Sequence, residues 1–342
     1  RIEKDFLGEK RIELNKYYGI QTLRAKENFN ITKTDISLFP NFIKSLAKVK
    51  KACALTNFEL GDLTDIQKDA IVQACNEIID GKFHDQFIVD PIQGGAGTST
   101  NMNANEVIAN RALEILGHPK SSYNIIHPNN HINMSQSTND VYPTAIKLTL
   151  HELIYKLKDA LRFLRDCFEE KAIEFKDVLK MGRTQLQDAV PMTLGQEFKT
   201  FAVMIDDDIY RLRNVQALLK EINLGATAIG TGINTKASYQ RKVISNLREV
   251  TGVDYVSAGD LIEATQDTGS FVHISGMLKS VAIKISKICN DLRLLSSGPR
   301  AGFNEINLPP LQPGSSIMPG KVNPVMPEVV NQVAFEVIGA DM

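Results

Sequence analysis

The chain has 342 residues, of which 43% are hydrophobic and 23% charged, and its formal net charge is -1. The composition is that of a soluble globular protein. The length exceeds a typical single domain, so we expect two domains or one elongated domain. Because the charge is near neutral, the sequence does not predict binding to nucleic acid or to an anionic membrane. No uncharged apolar run is long enough to cross a membrane, and the charged N-terminal residues do not resemble a signal peptide.

The four cysteines lie far apart and form no C-x-x-C pair; they are Cys53, Cys75, Cys167 and Cys289. Each lies in a stretch with helical character. This spacing argues against a disulfide framework or a zinc site. We therefore expect buried free thiols in a protein of the reducing cytoplasm.

Helical periodicity predicts one helix over residues 41–60 and a second over residues 64–80. The next notable stretch, residues 93–103, has three glycines and the hydroxyls of Thr98 to Thr100 just before a predicted helix at residues 101–116. It matches neither of the glycine patterns that bind nucleotides. Hydroxyls and free N–H groups at a helix N-terminus suit a carboxylate, although a plain helix cap with closely packed glycines is the alternative.

A second polar stretch, residues 135–140 (SQSTND), also leads into a predicted helix. It is either a capping segment or another cluster of hydroxyl and amide donors, formed by Ser137, Thr138 and Asn139. His127 and His131 lie just before it. A proline between these histidines and the lack of a nearby acidic or cysteine partner do not favour a metal site.

Three long stretches carry apolar residues at the four-three spacing of bundle helices. The first comprises Ile146, Leu150, Leu153, Leu157, Ala160, Leu164 and Cys167. The second comprises Leu194, Phe198, Phe201, Ile205 and Leu212, and the third Phe271, Ile274, Leu278, Val281, Ile285, Ile288, Leu292 and Leu295. These packing faces predict a mainly α fold, with a small N-terminal domain at residues 1–139 and a long central helical bundle at residues 140–342.

Three segments rich in turn residues are predicted to be loops: residues 182–191, residues 225–232 and residues 314–324 (GSSIMPGKVNP). The two prolines of the last segment prevent a regular helix or strand from running through it. Three apolar residues within it favour burial: Ile317, Met318 and Val322. We expect a structured loop, mobile or semi-buried, that presents two hydroxyls, a cation and an amide to a ligand: Ser315, Ser316, Lys321 and Asn323.

Hydroxyls and amides thus occur in four separated segments, around residues 98–100, 137–139, 184–185 and 314–324. The mixture suits a small dicarboxylate, because each buried carboxylate needs several hydrogen-bond donors. No cofactor motif is present, and such donors would stabilise the charge created when a C–H beside a carboxylate loses its proton. The residues alone leave Ser315 as either a substrate-binding hydroxyl or a general base, and a base would need its oxyanion stabilised by N–H groups and a cation.

The stretch GSSIMPGKVNP is similar to the signature of the fumarase/aspartase superfamily, and residues 325–332 resemble the aspartate ammonia-lyase branch more than the fumarases. Residues 17–28 are similar to the family's N-terminal segment, and the likeness extends from about Tyr17 to Ile338. The resemblance implies an L-aspartase-like fold. It also implies reversible conversion of L-aspartate to fumarate and ammonia, by anti elimination through an aci-carboxylate.

The resemblance further implies that Ser315 is the catalytic base, on a flexible loop that closes over the substrate. Four residues are assigned to the carboxylate whose charge grows: Thr98, Ser137, Thr138 and Ser316. Three are assigned to the other carboxylate: Thr184, Lys321 and Asn323. The amino group would be held by Asn139, with help from Thr98 and Gln185.

Two positions depart from the fumarase pattern. Gln185 stands where fumarases carry a His that pairs with a Glu, and Glu328 matches the position of that Glu. Without the His, the proton relay is missing, which disfavours the hydration reaction of a fumarase. Class II fumarase is therefore the alternative function. Asn130 stands where fumarases usually have Asp in an accessory carboxylate site that also uses the position of His127. A third interpretation is a structural bundle protein that has lost its chemistry, like the crystallins of this superfamily; the complete polar set of the signature loop argues against it.

The resemblance implies a homotetramer in which each active site takes segments from three subunits. It implies a small-molecule substrate in the cytoplasm, with no cofactor, while activation by a divalent cation is left open. Members of the family continue for more than a hundred residues, which complete the bundle and add a C-terminal domain. We therefore expect this chain to be part of a longer protein, truncated in its bundle and without the C-terminal domain.

Overall fold

The computed structural model describes residues 1–342, and its fold is mainly α, as the sequence predicts. The helices are α1 Ile20–Asn28, α2 Pro40–Glu59, α3 Asp65–Ile79, α4 Thr98–Ile115, α5 Thr138–Glu174, α6 Leu194–Leu218, α7 Tyr239–Thr251, α8 Leu261–Gln266, α9 Gly269–Leu295 and α10 Val325–Ala340. The strands are β1 Ile2–Asp5, β2 Gly8–Arg11, β3 Leu179–Thr184, β4 Gln187–Thr193, β5 Glu221–Ile222 and β6 Val256–Ser257. They pair as three two-stranded sheets, β1 with β2, β3 with β4 and β5 with β6.

One compact unit comprises residues 1–152 and 219–267. In it, α2 packs against α3 and α7, and α4 packs against α1 and α3. Two groups of buried apolar residues form its core. The first includes Ile43, Ile71, Ile78, Val107, Ile108 and Leu113, and the second includes Leu46, Val49, Leu148, Val243 and Leu247.

The first two predicted helices are confirmed to within a residue at each end, because strong local signals set their limits. A left-handed Gly61, with φ 77°, follows α2. Helix α3 begins with a capping box, in which the Thr64 hydroxyl accepts from the Gln67 N–H and the Gln67 side chain accepts from the Thr64 N–H.

The second compact unit comprises residues 153–218 and 268–342. Here α6 packs against α9, and α9 packs against α10. Phe168 of α5 contacts Phe198 and Phe201 of α6, with ring centroids 6.1 and 5.5 Å apart. The apolar stripes predicted for α6 and α9 are confirmed as buried or half-buried faces, and this unit is a helical bundle.

The stripe predicted for α5 is only partly covered in this chain. Leu153 and Ala160 are exposed, and the other five residues of the stripe are half-buried. The buried residues of α5 instead include Ala145, Leu148, Leu161 and Phe168. Apolar residues occur on more than one face of this long helix, and their spacing alone does not show which face the chain covers.

The loop predicted at residues 182–191 is also wrong, because most of it forms a β-hairpin. Strands β3 and β4 pair antiparallel, with a register shift between Met181 and Arg183. The two residues between the strands, Gln185 and Leu186, have φ values of 52° and 62°, which makes a tight two-residue turn. Pro191 lies within β4, as an edge strand of a two-stranded sheet allows.

The domain boundary expected after residue 139 stays a prediction, since both compact units take segments from the part of the chain that follows it. None of the helices combines the length and the apolar character needed to cross a membrane.

Two glycines of the second unit allow a matched stability test. A Cβ at Gly195 would lie 2.5 Å from the Ala172 carbonyl oxygen and 2.7 Å from the Lys176 Cα, whereas a Cβ at Gly276, inside α9, would meet nothing within 4 Å. We expect Gly195→Ala to lower the free energy of unfolding by about 1–3 kcal/mol. We expect Gly276→Ala to raise it by roughly 0.5–1 kcal/mol, through lower backbone entropy in the unfolded chain. Chemical denaturation compares the two, and equal changes in the same direction would contradict the packing argument.

Candidate active site

A cavity of about 430 Å³ in the first compact unit brings together three of the residues predicted to bind substrate, Thr98, Ser137 and Thr138. The other residues that line it are Asn101, Met102, Asn133, Ser135, Gln136, Thr227, Ala228, Ile233 and Asn234. Most of this lining is polar and uncharged. A dicarboxylate therefore finds donors here without a second anion to repel it.

Helix α4 starts three residues earlier than predicted, so Thr98 is its first residue instead of part of a preceding loop. The helix follows a left-handed Gly97, with φ 80°. Gln93 accepts from the Thr100 N–H and donates to the Thr100 hydroxyl, both at 2.9 Å, which satisfies one of the helix's free N–H groups. Thr98 is exposed, and its position in the first turn suits an anion, because helix N-termini carry unpaired N–H groups and a partial positive charge.

The Thr138 hydroxyl is held by a buried amide. Asn101, which is 1% exposed, donates from Nδ2 to the Thr138 Oγ1 at 3.0 Å and to the Asn133 Oδ1 at 3.0 Å. Because the Thr138 oxygen accepts from Asn101, its own proton remains available to a ligand.

The same network contains a buried cation. The ammonium of Lys50, which is 1% exposed, donates to the Asn133 Oδ1 at 3.0 Å and to the Gln136 Oε1 at 2.8 Å. Burial lowers the pKa of Lys50 to about 8. Lys50 thus fixes two residues of the cavity wall through their side-chain oxygens.

The remaining predicted residue of this unit, Asn139, lies in the first turn of α5 beside the cavity. Its Nδ2 donates to the Ala228 carbonyl oxygen at 2.8 Å. Next to it, Asp140 is fully buried and accepts from the Ser137, Gly225 and Thr227 N–H groups. Burial raises the pKa of Asp140 to about 6, although these N–H donors oppose the shift.

In the second compact unit, Thr184 ends β3 and Gln185 begins the hairpin turn. The adjacent Arg183 pairs with Glu305 and lies 4.1 Å from the centre of the Phe303 ring. Burial alone would raise the pKa of Glu305, but hydrogen bonds from Arg183 and Lys180 lower it below its ordinary value. These contacts hold the end of strand β3 in place, next to the hairpin turn that carries Thr184 and Gln185.

Residues 314–324 form no regular element, as predicted, and they carry the other four predicted residues. The loop is closed by the Gly314 N–H, which donates to the Lys321 carbonyl at 2.8 Å, and by the Asn323 Nδ2, which donates to the Gly314 carbonyl at 3.0 Å. Within it, the Ser315 Oγ accepts from the N–H groups of Ile317 at 3.3 Å and Met318 at 3.1 Å. Two backbone dipoles therefore point at the Ser315 oxygen.

The expected burial of the loop's apolar residues is wrong for this chain. Ile317, Met318 and Val322 are 83%, 50% and 48% exposed, because the loop is closed by its own hydrogen bonds and not by a packed core. Ser316 and Lys321 are also exposed, and Lys321 forms no ion pair. The cation is therefore available to an anionic ligand.

The two histidines that precede the cavity segment have structural partners. The His127 Nδ1 accepts from the Asn129 and Asn130 N–H groups at 3.0 and 3.3 Å, and the His131 Nδ1 accepts from the His127 N–H at 2.9 Å. Burial lowers the pKa of both rings. In the second unit, Glu328 has its nearest cation in Arg293, at 3.9 Å.

Sequence reasoning missed the residues that hold the cavity wall from behind, chiefly Lys50, Asn101 and Asp140. Asn101 and Asp140 lie in the polar stretches at residues 93–103 and 135–140, where the sequence does not separate them from the neighbouring donors, and Lys50 is one of several lysines of α2. It also missed Thr227 and Ala228 in the segment predicted as a loop at residues 225–232. A left-handed Thr227, with φ 58°, is the kind of strain found at functional sites, but the sequence does not reveal it.

Comparison with known proteins matches a family model described as lyase over residues 8–339. The aspartate ammonia-lyase of Helicobacter pylori (strain ATCC 700392 / 26695) is 61% identical over 342 residues, which are all of this chain and 73% of the relative. The aspartate ammonia-lyase of Escherichia coli (strain K12) is 56% identical over all of this chain and 72% of its own length.

Solved structures give the same result. The crystal structure of a fumarate lyase:delta crystallin from Brucella melitensis bound to cobalt has a TM-score of 0.97 and 56% identity, over all of this chain and 74% of that one. A recombinant class II fumarase from Schistosoma mansoni has a TM-score of 0.95 and 36% identity, with the same coverage of both chains. Because the family model matches residues 8–339 of the 342 residues, the chain belongs to the lyase family.

Proposed function

We propose that the protein catalyses the reversible elimination of ammonia from L-aspartate to give fumarate. The observation that carries this proposal is the identity of 56–61% to aspartate ammonia-lyases over the whole chain. The cavity that collects neutral donors in the first compact unit supports a dicarboxylate substrate.

We propose that Ser315 removes the proton from the carbon beside the substrate's β-carboxylate. A serine hydroxyl is a weak acid, so it acts as a base only where its alkoxide is stabilised. The Ile317 and Met318 N–H groups already point at the Ser315 Oγ, and they would hold the negative charge on that oxygen. The electron pair left on carbon passes into the adjacent carboxylate, which becomes the aci-carboxylate, and its return expels ammonia from the neighbouring carbon on the opposite face.

The growing charge on that carboxylate needs donors that are in place before the reaction. We assign this role to four hydroxyl groups, those of Thr98, Ser137, Thr138 and Ser316. The other carboxylate is assigned to the ammonium of Lys321, with Thr184 and Asn323. Asn139, helped by Thr98 and Gln185, receives the amino group.

A direct assay tests the reaction. Mixing the protein with L-aspartate should raise the ultraviolet absorbance of fumarate, and fumarate with ammonia should consume it. Fumarate formed from malate but not from aspartate would instead support the hydratase of the class II fumarases. Gln185 disfavours that outcome, because an amide does not relay protons as a His–Glu pair does.

We propose a homotetramer in which different subunits supply the segments of each active site. Mixed oligomers of two weakened variants, Ser315→Ala and the double variant Ser137→Ala/Thr138→Ala, then contain some sites in which all three residues are native. We expect activity to rise after subunit exchange above the level of either variant, while each variant exchanged with itself keeps its own low activity. If mixing restores nothing although the hybrids form, the shared-site arrangement is wrong.

We propose that this chemistry needs no resident cofactor, because the donors and the Lys321 ammonium carry the charge that develops. A relative's structure was solved with bound cobalt, which makes metal removal an informative test. We expect turnover to persist after treatment with a chelator and gel filtration. A loss of turnover that added Co²⁺ or Mg²⁺ restores would contradict this expectation.

The four cysteines are free, and three of them are buried: Cys53, Cys75 and Cys289. Burial raises the pKa of Cys53 and of Cys75 to about 12, so neither thiol is reactive. Free buried thiols suit a reducing compartment, and we propose a cytoplasmic location.

A further inference from the structure

A buried carboxylate links two segments of the cavity wall. Asp140 has no exposed surface, and its Oδ1 accepts from the Ser137 N–H at 3.0 Å. Its Oδ2 accepts from the Gly225 N–H at 3.1 Å and the Thr227 N–H at 3.0 Å. One side chain thus ties the start of α5 to the loop at residues 225–228.

The backbone of this loop is strained where Asp140 holds it. Thr227 has a φ of 58°, in the left-handed region that a β-branched residue rarely adopts. Gly225 has a φ of 93°, and a Cβ there would lie 3.0 Å from the Gln240 Cα. Such a conformation persists only where the surroundings fix it, and here the carboxylate of Asp140 holds both N–H groups.

The next residue of the loop orients a predicted substrate ligand. The Ala228 carbonyl accepts from the Asn139 Nδ2 at 2.8 Å, while the Asn139 N–H donates to the Ser137 Oγ at 3.2 Å. The Asn139 carbonyl accepts from the Asn223 Nδ2 at 3.0 Å. Because its NH₂ group is directed to Ala228, the Asn139 amide leaves its Oδ1 for a ligand, and an oxygen accepts from an ammonium group, which has only donors.

We propose that Asp140 is a positioning residue for recognition of the substrate's amino group. It fixes the loop that carries the Ala228 carbonyl, the carbonyl turns the Asn139 amide, and the Asn139 oxygen accepts from the ammonium of the amino acid. This inference rests on the proposed function, since it deepens the role given there to Asn139. Asp140 would then affect binding of the substrate's amino group but not binding of its carboxylates.

The test compares two ligands that differ by the amino group. L-Aspartate carries it, and succinate is the same dicarboxylate without it. In Asp140→Asn the remaining oxygen can still accept from Ser137, and the new NH₂ group faces the N–H groups of Gly225 and Thr227. We expect the KM for aspartate to rise about 10- to 100-fold, the size of one lost charge-assisted hydrogen bond. The inhibition constant of succinate should change by less than about threefold.

Asn139→Ala should give the same aspartate-selective loss. The double variant should be no worse than the more severe single variant, because both act through one hydrogen bond. If Asp140→Asn fails to fold, Gly225→Ala displaces the same loop by crowding against Gln240, and it should give the same selective loss.

Glu106→Gln is the matched control. Glu106 is also a buried acid, 2% exposed, and it accepts backbone N–H groups from Gly19, Gln21 and Thr22. We expect this variant to keep the native ratio of the aspartate and succinate constants. Equal weakening of both ligands in Asp140→Asn, or additive effects in the double variant, would overturn the proposal.

The proposed function has its own test, which is independent of Asp140: it is wrong if the unmodified protein forms no fumarate from aspartate. Calorimetric titration with aspartate and with succinate then measures the same ratio without turnover, so the role of Asp140 is tested either way.

Discussion

Ser315→Ala is expected to lower kcat by about 100- to 10,000-fold, the usual contribution of a general base. The methyl group cannot take a proton, and the Ile317 and Met318 N–H groups lose the oxygen at which they point. Binding of succinate should be almost unchanged, because the donors assigned to the two carboxylates remain. Steady-state kinetics with aspartate and inhibition by succinate measure both quantities.

Ser316→Ala separates a base from a binding hydroxyl within the same loop. Ser316 is assigned to a carboxylate, so its loss removes one donor and leaves the base in place. We expect a smaller fall in kcat/KM, about 10-fold, consistent with one hydrogen bond to a charged group. If Ser315→Ala keeps near-normal kcat, or if the two variants are equally impaired, Ser315 is not the base.

Much of the fold could be predicted, because local signals and apolar spacing determine most helices. The capping box at Thr64 and the glycine after α2 are local signals in the sequence, and they determine where α3 begins and where α2 ends. The hairpin of β3 and β4 was missed because its turn has Gln185 and Leu186 in left-handed conformations without the usual glycine or asparagine. The hairpin is recognised only from the antiparallel pairing of β3 with β4 in the structure.

The candidate site also has a part that could be predicted from the sequence and a part that could not. Its direct donors stand in unusual polar stretches, so residue chemistry and the family likeness point to Thr98, Ser137 and the signature loop. The groups that hold them do not stand out, because Asp140 ends one of these polar stretches as an ordinary helix-capping residue would, and Lys50 occurs in an ordinary helical pattern. Their importance comes from burial and from hydrogen bonds to residues distant in sequence, such as the Thr227 N–H, which no local pattern encodes.

Lys321→Met is expected to lower kcat/KM for aspartate by about 100- to 1,000-fold. Lys321 is the only formal positive charge among the residues assigned to the substrate, and it is exposed and unpaired in the structure. Losing one partner of a desolvated charge pair costs about 2–5 kcal/mol, and each 1.4 kcal/mol is about tenfold. The carboxylate it holds would then rely on the neutral groups of Thr184 and Asn323.

Lys321→Arg is the conservative comparison, since it keeps the charge but replaces a compact ammonium by a planar, forked group. We expect it to recover only part of the loss, because the closed loop fixes where the charge stands through the hydrogen bond from Gly314 to the Lys321 carbonyl. Both variants should keep the free energy of unfolding to within about 0.5 kcal/mol, as an exposed side chain without an ion pair predicts. If Lys321→Met retains native kcat/KM while it folds normally, another group must hold that carboxylate, and the division of donors proposed for the substrate is wrong.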